Sequence, residues 1–304
     1  MEVIAMLTMN DISFFIRVYL YITLWNYQLI IISMDMVTIE YGWGNRLGNS
    51  LLMYTAAYVF AKKHNLYFNV DPLLPHFPLS PDKPQPVTTG FNEPCSSIKS
   101  KPLQTTRKFE LPYIPIHDLN FVELLNATYV PDAQYHFQHY FQLKDFVLPY
   151  KNQIKEMFDL TYTARPDNEI FVIFRLGDVA KRRQRLPLQF YVDTIERLYQ
   201  SGCTGGYITS DSPQHPEVQY LIEKYKLKLY TSDIPTETLN FGKDFNNLVL
   251  SEGTYCWWVG VLSNATNVYY NDRRSTFNWH GDIFVYPEWK SLSYDNPELP
   301  VDPV

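Results

Sequence analysis

Cysteine is scarce: the chain has three, Cys95, Cys203 and Cys256, and no two stand at the spacing of a metal-ligand pair. Neither a zinc site nor a disulfide framework is legible in them. The Asp-x-Asp pattern is absent, and no His and carboxylate cluster suited to Mg²⁺ or Mn²⁺ stands out, so the expected chemistry uses no metal and no bound cofactor. Basic residues are also in deficit, 26 Lys and Arg against 32 Asp and Glu, for a net charge of −6 at pH 7. Such a balance offers no general attraction to nucleic acid or acidic membranes, and a phosphate-bearing ligand then requires a local cluster of donors. What is abundant is apolar surface: 46% of the residues are hydrophobic and 16% aromatic, enough for a substantial core and contrary to disorder. Two Asn-Ala-Thr triplets, at Asn126 and Asn264, are of a kind frequent by chance and decide nothing.

The first 33 residues carry one long apolar run, Ile12 to Ile32, about the length of a membrane span. Arg17, Asn26 and Gln28 interrupt it, and no small-residue cleavage site follows. Nine residues separate Ile32 from Gly42, and most of them read as a strand, so an anchor here leaves no stem. Three readings stay open. The run is a Golgi-type signal anchor, an extension upstream of a true start at Met34 or Met36 in a cytoplasmic protein, or a helix packed on the domain.

From Met34 the chain reads as alternating strands and helices. Val37, Ile39 and Tyr41 alternate at the period of a strand, and Leu51, Leu52, Thr55, Tyr58, Val59 and Lys62 fall at helical spacing. Between them lie Gly42, Gly44 and Gly48 with Asn45 and Asn49, and "LYFNV" follows as a second strand. Strand, glycine-rich turn, helix and strand make the opening of a parallel α/β unit, with the turn beside a helix N-terminus that favours an anion. "GWGNRLGN" is neither a dinucleotide fingerprint nor a phosphate loop. From spacing alone the glycines serve either a ligand's approach or a tight turn. The proline-rich stretch Pro72 to Pro115 reads as a surface excursion, and Tyr135 to Leu160 as helical, with His136 and His139 lodged between aromatics.

The second half restarts the pattern with strands at Glu169 to Asp178, Gly205 to Asp211 and Leu227 to Asp233, and helices at Leu186 to Gly202 and Pro216 to Lys226. We divide the chain into an extension (1–33), a Rossmann-like half (34–165) and a second Rossmann-like half (166–304), with ligands expected at the carboxyl ends of parallel strands. Arg175 is the one charge in the apolar run Ile170 to Leu176; it serves an anionic ligand or a structural pair with Asp178. Lys181, Arg182, Arg183 and Arg185 form a basic run beside it. Further on, "NLVLSEG" reads as a strand and "TYCWWVGVLS" as a helix capped by Thr254, an arrangement that presents hydroxyl and N–H groups to a phosphate. Trp257 and Trp258 read as core before they read as a stacking platform.

Three segments together resemble the α-1,2-fucosyltransferase family, and more distantly the α-1,6- and protein O-fucosyltransferases. "GNRLGNSLLMYTAAYVFAKK" is similar to the family's opening motif, "IFRLGDV…LPLQFYVDTI" to its "HIRRGDY…LP..YY..AI", and "EGTYCWWVGVL" to its "NSTFSWWGAWL"; "TSDS" matches its "SDD" strand end. The resemblance spans roughly Met34 to Trp289. It implies an α/β protein of two Rossmann-like domains facing a cleft, the GT-B type, inverting and metal-independent, with GDP-fucose as donor and a glycan as acceptor. It implies Arg175 on the donor diphosphate, Asp178 as a candidate base, and donor contacts from Gly44, Asn45, Arg46, Gly48, Asn49, Asp211, Gly253, Thr254, Tyr255 and Cys256. The chain departs from the pattern where the family's histidine is Ile173, its second arginine Leu176, and its Asn-Ser pair Glu252-Gly253. Those departures keep two alternatives in view: a transferase for another nucleotide sugar, and a non-catalytic glycan- or nucleotide-binding protein on the same fold.

Overall fold

The computed structural model describes residues 36–39, 47–64, 66–68, 113–128, 130, 133–158, 160–177, 185–272 and 283–294. They form two sheets in which every described pairing is parallel. The first half holds β1 (Met36–Ile39), α1 (Leu47–His64), β2 (Tyr67–Phe68), β3 (Tyr113–Ile116), α2 (Phe121–Asn126), β4 (Gln134–Phe137), α3 (Lys144–Val147) and α4 (Lys151–Glu156). Its strand order is β2-β1-β4-β3. Pro115 sits in β3 at the end of that order, where a missing N–H costs the ladder little.

One expectation fails here. Tyr135 to Phe137 belongs to a strand and not to a helix, because Tyr135 and Phe137 are buried while Gln134 and His136 are only half-buried, a period of two. Helical structure resumes in the two short helices α3 and α4.

The second half contains β5 (Glu169–Phe174), α5 (Leu188–Gln200), β6 (Gly205–Ser210), α6 (Pro216–Tyr225), β7 (Leu227–Leu229), α7 (Pro235–Gly242), β8 (Asn247–Val249), α8 (Thr254–Leu262), β9 (Asn267–Asn271) and β10 (Lys290–Leu292). Its order, β10-β9-β8-β5-β6-β7, grows outward from β5 on one side and restarts at β8 on the other. The strand order therefore reverses between β5 and β8, and the crevice of such a sheet lies outside the carboxyl ends of those two strands.

β5 shows why its sequence is apolar throughout. Ile170, Val172 and Phe174 face a core shared with α5 and α6, while Phe171 and Ile173 face the opposite core with Trp257, Trp258 and Val259 of α8. That second core continues into the first half through Leu52, Ala56 and Phe60 of α1, so one apolar cluster spans both sheets. Sandwiching explains α1, which is buried from Ser50 through Ala61 on all sides and not along a single stripe. α8 is likewise enclosed from Cys256 to Leu262. At its far end Lys155 of α4 donates to the Ser263 carbonyl at 2.6 Å, a cation placed where helix carbonyls lack partners.

Candidate functional site

At the carboxyl end of β5, half-buried Arg175 points toward the segment that follows β8, and its Nη1 donates to the Glu252 carbonyl at 3.1 Å. Gly253 comes next with φ +101, and a Cβ there would fall 2.3 Å from Arg175 Nη1. Both the backbone conformation and the guanidinium's approach thus require glycine. Gly253 is the N-cap of α8, which places Thr254 inside the helix and corrects the expectation that Thr254 caps it. The first intrahelical amide bond is Trp257 N–H to the Gly253 carbonyl, at 3.2 Å. The N–H groups of Thr254, Tyr255 and Cys256 come before it, in the turn where a helix leaves its amides without carbonyls. A guanidinium and a helix N-terminus therefore converge at the switch point, the combination that binds a phosphate.

Glu252 is half-buried, with its Oε1 shielded from solvent, and its charge is felt at Tyr191 of α5 and Cys256 of α8. Tyr191 is 1% exposed and Ser251 2%, so both hydroxyls are withdrawn from solvent. Burial pushes the Tyr191 phenol well above its ordinary value, against the pull of a hydrogen bond with Ser251. Cys256 was expected among the donor contacts, but it is fully buried beneath the site, where burial pushes its thiol up to about 12 against the pull of Arg175. Tyr255 is half-buried and spends its hydroxyl on the Pro235 carbonyl at 2.7 Å.

Asp211, at the end of β6, accepts the Leu176 and Gly177 amides through Oδ1 at 2.8 and 3.1 Å. It shapes the turn that carries Arg175. Ile173 and Leu176, which replace the family's histidine and second arginine, are both buried in core. Arg185 of the basic run is ion-paired with Glu217 of α6. Asp178, Lys181, Arg182 and Arg183 lie outside the described residues, as do Gly44, Asn45 and Arg46.

The N-terminus of α1 meets that of α8. A Cβ on Gly48 would come within 2.5 Å of Thr254 Oγ and 2.6 Å of the Tyr255 amide nitrogen, so what approaches Gly48 is the backbone of another helix. The Thr254 hydroxyl donates to Asn49 Oδ1 at 2.8 Å, and Gln142 Nε2 donates to the same oxygen at 3.2 Å. Thr254's hydroxyl is therefore committed within the chain, and the phosphate-binding donors left to this helix are its backbone amides. Trp258 Nε1 donates to the Gly48 carbonyl at 2.9 Å and Trp257 Nε1 to the Ile283 carbonyl at 2.7 Å, which settles both tryptophans as core. Sequence reasoning missed Gln142 and Tyr191. Tyr191 stands within a quoted motif, whereas nothing local marks Gln142.

Among the described residues no group of three His, Cys, Asp or Glu side chains could hold a metal ion, and no helix is long and apolar enough to cross a membrane. The run Ile12 to Ile32 lies outside them.

The chain matches no family model and no curated protein. Among solved structures it is similar to a mutant of Arabidopsis thaliana FUT1 in complex with GDP, at 11% identity and a TM-score of 0.49, over 77% of this chain and 70% of that one. It is also similar to the E. coli heptosyltransferase WaaC with ADP-2-deoxy-2-fluoro heptose, at 11% identity and a TM-score of 0.45, over 82% of this chain and 92% of that one. WaaC with ADP gives 10% identity and a TM-score of 0.41, over 79% and 88%.

Proposed function

We propose that the chain is an inverting, metal-independent glycosyltransferase of the GT-B type that binds GDP-fucose at the β5–β8 switch point and transfers fucose to a glycan hydroxyl. The observation that carries the nucleotide-sugar site is Arg175 resting on the Glu252 carbonyl at the mouth of α8. The fucose and guanine in this reading come from the sequence resemblance.

The chemistry follows from charge. When the bond between the sugar's anomeric carbon and the β-phosphate oxygen breaks, its electron pair stays on the phosphate, and oxocarbenium-like positive charge builds on the sugar. Arg175 and the first-turn amides of α8 stabilise the leaving diphosphate. The acceptor oxygen forms its bond to the anomeric carbon from the opposite face and loses its proton to a base, for which Asp178 is our candidate.

A second reading has its own support. With Ile173 and Leu176 in the core, the family's histidine and second guanidinium have no replacement at their positions, which suits a nucleotide-binding protein without turnover. Melting the protein with saturating GDP or UDP and incubating it with labelled GDP-fucose separate the two. The enzyme reading expects a larger rise in Tm with GDP than with UDP, together with slow release of fucose to water that EDTA does not abolish. Binding without any release supports the second reading, activity that vanishes in EDTA and returns with Mn²⁺ overturns metal independence, and no stabilisation by either nucleotide overturns the site.

A further inference from the structure

The loop that follows β4 carries the two non-glycine residues His139 and Phe141 in the left-handed region, with φ +77 and +53. Bulky residues hold such a conformation only when their surroundings impose it. Here the Phe141 amide is held by Asp118 Oδ1 at 2.7 Å, from the turn after β3, and Asp118 is itself 7% exposed. The next residue is Gln142, which reaches Asn49 across 93 positions of sequence and shares its Oδ1 with Thr254.

From this we infer that Gln142 is a positioning residue for the donor site, a conclusion that rests on the nucleotide-binding reading above. Asn49 has one carbonyl oxygen and two donors on it. If Gln142 is lost, the Asn49 oxygen keeps only the Thr254 hydroxyl, and the hydroxyl that fixes the first residue of α8 rests on an acceptor that Gln142 no longer orients. The amides of that first turn bind an anion only if they converge on one point, and an amide hydrogen bond weakens steeply once its angle falls. The strained loop thus does what an unstrained one would not: it delivers a side chain from the first sheet to the helix mouth of the second. Asp118 sets the loop, Gln142 extends from it, Asn49 relays the contact, and Thr254 receives it.

The test uses the full chain with GDP as the probe, reading its dissociation constant by calorimetry and the unliganded Tm separately. Gln142→Leu keeps the side chain's bulk and removes its donor. It should weaken GDP binding by roughly ten-fold, the upper scale of one neutral hydrogen bond, while the unliganded Tm stays within a few degrees of wild type. Asn49→Asp provides a second arm: it keeps an acceptor for both Thr254 and Gln142, so the fold is retained, but it sets a negative charge beside the anion site and should weaken GDP binding most at low salt. A Gln142→Leu protein that binds GDP as wild type does, or that loses affinity only in proportion to a fallen Tm, overturns the inference. Equal affinity of Asn49→Asp at every salt concentration also overturns it, because the relay would then not adjoin the bound anion. If the wild-type chain itself fails to bind GDP, the parent reading is the one that fails.

Discussion

Arg175 carries the chemistry in this reading. Its Nη1 rests on the Glu252 carbonyl at 3.1 Å, a contact that orients the guanidinium toward the mouth of α8. Arg175→Ala should lower turnover of GDP-fucose a few hundred-fold, about 3–4 kcal/mol in the barrier, with the fold retained. Lysine should rescue only part of this, because a point charge cannot reproduce a bidentate fork on phosphate oxygens. A purely structural pair with Asp178 forecasts otherwise: Arg175→Ala would lose stability, and a second change, Asp178→Ala, would restore both stability and activity. Steady-state kinetics and thermal melts on the three proteins decide between them.

At the scale of elements, the junction of α1 and α8 controls the site's geometry, and Gly48 is its tightest point. A methyl group there would meet backbone atoms of α8 at 2.6 and 2.8 Å as well as the Thr254 hydroxyl, so relief requires one helix to shift. Gly48→Ala should therefore cost about 1–3 kcal/mol of stability by overpacking, read from denaturant melts, and should weaken GDP binding as well. A stable variant with normal affinity would mean that the junction is looser than its spacing indicates. This junction also marks the limit of what the sequence reveals. Most of the second half announced itself, since Ile170 to Phe174 is a continuous apolar run and Leu188 to Gln200 an amphipathic one, whereas α7, β9 and β10 went unread. Arg175 was conspicuous as a charge in apolar company. By contrast, Tyr135 to Phe137 misled, because three residues of alternation inside an aromatic-rich stretch fit either period. Gln142 and Asn49 meet across two halves of the molecule, and local pattern carries no record of such a pairing.

For the molecule as a whole, the apolar cluster that runs from α1 through α8 to β5 crosses from one sheet to the other. Two α/β halves with separate cores would unfold in two steps, but a shared core couples them. Calorimetry on the unliganded protein should accordingly give one transition whose calorimetric and van't Hoff enthalpies agree. Two resolved transitions, or an early loss of the first half under proteolysis, would contradict that coupling.

The hydrogen bond between Asn49 and Thr254 joins residues 205 positions apart, and the one between Gly48 and Trp258 joins residues 210 apart. A nascent chain emerging from the ribosome possesses the first of these partners long before the second. Domains commonly fold as they emerge, N-terminal part first, yet here the helix mouth that would receive a diphosphate has no second wall until α8 has left the exit tunnel. If the proposed site is correct, products that end before α8 should be silent toward the nucleotide, not weakly competent. On this reading, a fragment ending before Thr254 should neither compete for the donor nor consume it.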